Sequence, residues 1–143
     1  MEAIVLAGGF GTRLASRLSG LPKPMAPVAG RPFLEILLTQ LQRAGCGRVL
    51  LSVGHLHHVI QDYFGQAFNE MKIDYVIETA PLGTGGAIRL ALAQATEESV
   101  LALNGDTVLD ADYADMLRFH SSEAATATIA ITHQPDIAAT AES

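Results

Sequence analysis

A short apolar run, Ala3-Ile4-Val5-Leu6, opens directly into Ala7-Gly8-Gly9-Phe10-Gly11-Thr12-Arg13-Leu14. That junction constrains the fold more than any other stretch of the chain. The run reads as a buried strand. Three glycines then remove side chains where a backbone must come close to something. Successive backbone N–H groups in such a turn form an anion-binding nest. Arg13 adds a permanent cation with a planar fork suited to phosphate. Lys23, held between Pro22 and Pro24, adds a compact point charge. Strand, glycine turn, Arg13 and Lys23 together point to a triphosphate site.

Two commoner glycine loops fail against these residues. A P-loop needs Gly, four residues, then Gly-Lys-Ser/Thr, and no such segment occurs. A dinucleotide fingerprint needs three spaced glycines, but Gly9-Phe10-Gly11-Thr12-Arg13-Leu14 puts Leu at the third position and an arginine beside it. A dinucleotide-dependent oxidoreductase is therefore disfavoured. A plain glycine turn between strand and helix is the simpler alternative, and Arg13 with Pro22-Lys23-Pro24 weighs against it.

The rest of the chain alternates strand and helix patterns. Strands are predicted at 2–6, 48–53, 72–77, 99–103 and 125–132. Helices are predicted at 33–44, 56–64, 84–95 and 112–120, with Thr84 as the N-cap of the third. In the first, Phe33, Ile36, Leu37, Leu41 and Ala44 recur at helical spacing, Pro32 sits near the start and Gly45 stops it. Such alternation predicts an α/β, Rossmann-like, doubly wound and mostly parallel sheet with helices on both faces. Ligands of open parallel sheets bind beyond the carboxyl ends of the strands. The loops there are 7–13, the turn at Gly54, 78–86 and 104–107, which are also the glycine-rich or charged loops.

Two of those loops carry further chemistry. Residues 78–87 read Glu-Thr-Ala-Pro-Leu-Gly-Thr-Gly-Gly-Ala. Pro81 fixes a turn, and Gly83, Gly85 and Gly86 keep it slim enough for a flat ring to lie against the backbone; a plain strand-to-helix connection is the alternative. Residues 103–107 read Leu-Asn-Gly-Asp-Thr. Asp106 would sit at a strand's carboxyl end, where an oxygen ligand suits Mg²⁺ held by one or two carboxylates and substrate phosphates. The alternative is a turn residue bonded to its own backbone.

Composition narrows the class. At 143 residues and 49% apolar, the chain suits one domain with a substantial core. Its net charge of −6 opposes a general nucleic-acid binder, which carries a basic face, but not a mononucleotide site. Cys46 is the single cysteine, so neither an internal disulfide nor a multi-cysteine metal site forms. Met1-Glu2 does not open a signal peptide, and no apolar stretch is long enough to span a bilayer. A cytoplasmic protein with no membrane partner is expected.

The segments Gly-Gly-Phe-Gly-Thr-Arg-Leu (8–14), Leu-Pro-Lys-Pro (21–24), Leu-Gly-Thr-Gly-Gly-Ala (82–87) and Asn-Gly-Asp (104–106) occur in the order found in the sugar-nucleotide pyrophosphorylases. Over about residues 2–132 the chain resembles the N-terminal part of that nucleotidyltransferase family. With Met25 to Glu35 it is most similar to the D-glycero-D-manno-heptose 1-phosphate and mannose-1-phosphate guanylyltransferase branches.

The resemblance implies a fold of the nucleotide-diphospho-sugar transferase type. It also implies Mg²⁺-dependent transfer of a nucleotidyl group, with GTP favoured, to a sugar 1-phosphate, releasing pyrophosphate. Gly8, Gly9 and Gly11 would cradle the phosphates, Arg13 would hold the leaving pyrophosphate, and Lys23 would neutralise charge near the α-phosphate. Asp106 would bind Mg²⁺, and Gly83 would face the base. Leu6, Ala7, Thr12, Pro81 and Thr84 would complete the nucleotide contacts. Glu78 carries a sharper expectation. Guanine presents N1–H and N2–H₂, both donors, and a carboxylate accepts from both. An amide would serve thymine or uracil better.

Members of the family usually continue further, and the continuation carries a second metal-binding carboxylate and most of the sugar pocket. The expected domain is 1–132, followed by a short tail, 133–143, in an apparently C-terminally truncated fold. Asp136 and Glu142 lie in no matching motif and are not assigned. A shortened sheet leaves an open edge, so a homo-oligomer is expected to cover it. His55, His57 and His58 read as a solvated loop and helix start rather than a zinc site. His120 and Cys46 read as structural, and Asp110, Asp112 and Asp115 as solvated acids and helix-start signals.

Overall fold

The computed structural model describes residues 1–8 and 20–131. Strands β1 (Glu2–Leu6), β4 (Arg48–Val53), β6 (Met71–Ile77) and β7 (Val100–Asn104) are parallel neighbours in one sheet. A two-residue strand, β5 (Ala67–Phe68), adds antiparallel to β6, so the order is β5-β6-β4-β1-β7. A separate small hairpin pairs β2 (Pro27–Val28) with β3 (Arg31–Pro32). Helices α1 (Phe33–Arg43), α2 (His57–Phe64), α3 (Gly83–Leu92) and α4 (Tyr113–Ser122) connect or follow the strands.

The two-residue period of the strands sorts their side chains onto two faces. Ala3, Val5, Val49, Leu51, Val53 and Ile73 form one core with Leu34, Leu37, Leu38 and Leu41 of α1, Ile60 and Phe64 of α2, and Tyr113 of α4. Ile4, Leu50 and Val76 form the other with Ala91 of α3. The sheet is therefore covered on both faces, as the continuous apolar runs of β1 and β4 predict.

Helix α1 starts after Pro32, whose missing N–H leaves no orphan donor there. At its far end Gly45 takes φ +84°, its N–H bonds to Gln42 O at 2.9 Å, and the Cys46 N–H bonds to Leu41 O at 3.0 Å. This pair of bonds closes the helix and supplies partners for two orphan carbonyls. The buried stripe of α1 is Leu34, Leu37, Leu38 and Leu41, with Phe33, Ile36 and Ala44 half-buried beside it. The expected stripe was thus rotated by part of a turn. Asp112 caps α4, its side chain accepting from the Asp115 N–H at 2.9 Å.

Three other expectations need correction. Residues 125–131 form no strand, and residue 132 lies outside the described residues, as does the expected tail. Their β-branched pattern finds no partner strand, and Ile129 and Ile131 stand exposed. Strand β7 runs one residue later than expected, at Val100–Asn104. Thr84 is not the N-cap of α3: that position is Leu82, and Thr84 lies inside the first turn. Gly83 makes the earlier start feasible by adopting φ +67°.

From β1 the chain moves to β4 and β6 on one side, and β7 then joins on the other side of β1. The order reverses at the β1/β7 seam. In doubly wound sheets such a seam opens a crevice beyond the strand ends.

Candidate functional site

Three backbone bonds extend the sheet past its strand ends. The Ala7 N–H bonds to Ser52 O at 2.7 Å, the Glu78 N–H to Val53 O at 2.7 Å, and the Gly105 N–H to Leu6 O at 2.8 Å. They draw the loops after β1, β4, β6 and β7 together at one end of the sheet. A cleft of about 420 Å³ lies there, a volume suited to a nucleotide-sized molecule. Its wall carries Leu6, Ala7 and Gly8 from β1 and its loop, Lys23, Glu78, Pro81, Gly83 and Thr84, and Asp106. Gly9, Gly11, Thr12 and Arg13 lie outside the described residues.

Lys23 opens a single 3₁₀ turn, Lys23–Met25, after Pro22 in extended conformation. Pro24 and Met25 are buried and anchor that turn, so the Lys23 stem leaves it toward the cleft. The Lys23 ammonium donates to Oδ2 of Asp106. This hydrogen bond, ahead of a smaller desolvation effect in the opposite sense, holds the Asp106 carboxyl below its ordinary range. Asp106 itself follows Gly105, where an added Cβ would lie 2.8 Å from Leu6 O and 3.2 Å from Ala7 Cα. Only glycine lets the β7 loop press against β1 so closely.

Glu78 forms the opposite wall. Ser52, a wholly buried residue of β4, donates its hydroxyl to Glu78 Oε1 at 2.8 Å. The Leu82 N–H approaches Oε2 at 3.4 Å. A Cβ at Gly8 would stand 2.8 Å from the same Oε1, so glycine there leaves the carboxylate its place. No side chain caps α3, and Gly83 and Thr84 of its first turn lie on the cleft wall.

Pro24, Ala87 and Asn104 also line the cleft and were not anticipated. Asn104 sits within the quoted Asn-Gly-Asp segment, so its place was readable from the strand end. Pro24 and Ala87 are apolar wall residues with no chemical signal of their own. Ser52 gave no signal either, since a lone serine inside Arg-Val-Leu-Leu-Ser-Val reads as a neutral core position.

His55, His57 and His58 follow β4 on an adjoining hollow beyond Glu78. His57 Nδ1 lies 3.1 Å from Gly54 O, a contact that orients the ring at the start of α2. Among the described residues no group of three or more His, Cys, Asp or Glu is placed to hold a metal ion. Asp106 and Glu78 are the two carboxylates that the described residues place on the cleft wall, the first paired with Lys23 and the second with Ser52.

Comparison with known proteins agrees with this geometry. A family model described as nucleotidyl transferase matches residues 2–140. The D-glycero-alpha-D-manno-heptose 1-phosphate guanylyltransferase of Aneurinibacillus thermoaerophilus is 47% identical over 131 residues, which cover 92% of this chain and 57% of the relative. The mannose-1-phosphate guanylyltransferase of Mycobacterium tuberculosis is 38% identical, over 95% of this chain and 38% of its own. The crystal structure of HddC from Yersinia pseudotuberculosis complexed with GMP-PN superposes with a TM-score of 0.74 and 37% identity. That match covers 83% of this chain and 53% of the other. The chain thus spans about half the length, or less, of these relatives.

Proposed function

The chain belongs to the nucleotidyl transferase family, and from that premise we propose that it is an enzyme transferring GMP from GTP to a sugar 1-phosphate. The acceptor is D-glycero-D-manno-heptose 1-phosphate or mannose 1-phosphate, the substrates in the names of its relatives. One observation carries the reading: a Lys–Asp pair and a buried-serine-held glutamate face each other across a cleft at the switch point of the sheet. The first can meet phosphates, the second a base edge.

In this reading a phosphate oxygen of the sugar 1-phosphate attacks the α-phosphorus in line. The new P–O bond forms as the bond to the bridging oxygen breaks, and pyrophosphate leaves with the electron pair. Positioning and charge stabilisation do most of the work in such a transfer. Lys23 neutralises charge beside the α-phosphate, and the backbone of Gly8 lets the phosphates approach β1. Arg13, with Gly9, Gly11 and Thr12, acts on the leaving phosphates. Asp106 would hold Mg²⁺, which when bound would supply charge neutralisation for the phosphates. Pro81, Gly83 and Thr84, with Leu6 and Ala7, enclose the nucleoside, and Glu78 accepts from guanine N1–H and N2–H₂.

The reading also sets the chain in the cytoplasm, the compartment that keeps a lone thiol such as Cys46 reduced. No helix among the described residues is long and apolar enough to cross a membrane.

Calorimetry of the 143-residue chain with GTP, dTTP, UTP, CTP and ATP in the presence of Mg²⁺ tests the proposal. Selective GTP binding, lost in Arg13→Ala, followed by pyrophosphate release with the two sugar phosphates, is the expected result. Equal binding of all five nucleotides would overturn the guanine reading. The alternative is nucleotide binding without turnover. GTP binding with no pyrophosphate release from either sugar phosphate would establish it.

A further inference from the structure

We infer that Ser52 is a positioning residue for base selection, acting through the orientation it imposes on the Glu78 carboxylate. The inference rests on the proposal that Glu78 reads guanine and adds to it the device that makes the reading selective.

An unrestrained glutamate is a poor reader of a base edge. Its carboxylate rotates freely about the last side-chain torsion, which has a broad, roughly two-fold profile. Two parallel donors, such as N1–H and N2–H₂ of guanine, need both carboxylate oxygens held in the plane of the ring. A carboxylate has about four acceptor positions, two on each oxygen. Ser52 occupies one on Oε1, at 2.8 Å, and the Leu82 N–H lies near one on Oε2, at 3.4 Å. The remaining position on each oxygen forms a paired edge. Two donors on one ligand match it; the single donor of thymine or uracil, flanked by acceptors, does not.

The position of Ser52 explains why it can impose this geometry. It pairs with Leu6 of β1 on one side and Val76 of β6 on the other, in the interior of the sheet. Glu78 comes two residues after Val76 and so projects to the same face of the sheet. Ser52 is fully buried, out of reach of bulk solvent, and its hydroxyl is bonded to Glu78. Its hydroxyl needs a partner, because a buried hydroxyl without one is costly. Gly8 completes the arrangement by leaving room at Oε1. Serine offers the smallest hydroxyl that can reach from the sheet to the carboxylate.

The test compares GTP with ITP, which lacks the 2-amino donor, and with dTTP, by titration calorimetry in the presence of Mg²⁺. Five proteins are needed: the unsubstituted chain, Ser52→Ala, Ser52→Thr, Glu78→Gln and the double variant Ser52→Ala/Glu78→Gln. The expected result is that Ser52→Ala lowers the preference for GTP over ITP by about tenfold, with an unchanged melting temperature. It has no further effect once Glu78 is Gln, and Ser52→Thr, which keeps the hydroxyl, restores the preference. If Glu78→Gln changes base preference while Ser52→Ala does not, the positioning role of Ser52 is overturned and the guanine reading stands. If Glu78→Gln leaves base preference unchanged, or the unsubstituted chain binds none of the three nucleotides, both fall.

Discussion

The Lys23 ammonium donates to the Asp106 carboxylate across 83 positions of sequence, closing one side of the cleft with a pair of opposite charges. Both side chains are more than a third exposed, so the pair adds little to stability. Its significance is chemical. Lys23→Ala is expected to lower the rate of pyrophosphate release by roughly 10²- to 10³-fold, the usual loss when one fixed group facing developing charge is removed. The melting temperature should move by no more than a few degrees. Steady-state rates beside a thermal melt check both parts.

Asp106→Asn keeps the shape and removes the charge. It should abolish the Mg²⁺ dependence of GTP affinity, so that adding EDTA weakens binding to the unsubstituted chain but not to the variant. Calorimetry with and without chelator decides it. An equal response of the two proteins to EDTA would remove Asp106 from the metal site.

Glu78→Gln should shift preference from GTP towards dTTP, because an amide offers one donor and one acceptor where the carboxylate offers two acceptors. The expected change in the GTP/dTTP affinity ratio is about tenfold or more. An unchanged ratio is the contrary outcome.

Glu2, at the opposite end of the sheet, is expected to contribute to acid stability. Burial pushes its carboxyl up, but bonds from the Thr96 hydroxyl, Arg48 and the backbone N–H groups of Thr96 and Glu97 outweigh this and bring it down to about 2. A depressed folded value contributes stability that is complete above the unfolded value near 4.5 and is lost as pH falls towards 2. The contribution is on the order of 3 kcal/mol. Denaturant midpoints should therefore fall between pH 5 and pH 2.5, roughly, and Glu2→Gln should flatten that dependence while lowering stability at neutral pH.

Strand β7 forms one margin of the sheet among the described residues. Its exposed residues include Ala102 and Asn104, and among the described residues no strand pairs with its outer edge. Self-association is expected, seen as a mass above that of one chain in light scattering at micromolar concentration. A Lys at Ala102 should weaken it, since edge charges oppose pairing. A monomer under these conditions is the contrary result.

Much of the fold was legible because burial and strand period coincide. Val49 to Leu51 is apolar on both faces, and Arg48–Val53 reads as an interior strand. Chain alternation then led to the parallel sheet, and the sheet to the loops on which the cleft is built. The failures have local causes. Thr84 looked like a cap because threonine caps helices, yet a left-handed Gly83 lets α3 begin earlier. Residues 125–131 have a strand's composition, but among the described residues no strand pairs with them. Ser52 was invisible because its meaning comes from β-register: only pairing with Val76 puts it under Glu78.

The seam between β1 and β7 also dictates an order of events during synthesis. Leu6 lies opposite Asn104, and the Gly105 N–H closes on Leu6 O. A nascent chain that has delivered β1, β4 and β6 can already build three adjacent strands, but it possesses only one bank of the cleft. The second bank arrives with the last of these parallel strands, after a loop closure spanning most of the polypeptide, the slow kind of contact. Until then Lys23 lacks the Asp106 carboxylate as its partner. Ribosome-bound chains arrested before and after Gly105 should differ abruptly in nucleotide capture, so that the ligand site itself reports completion of the sheet.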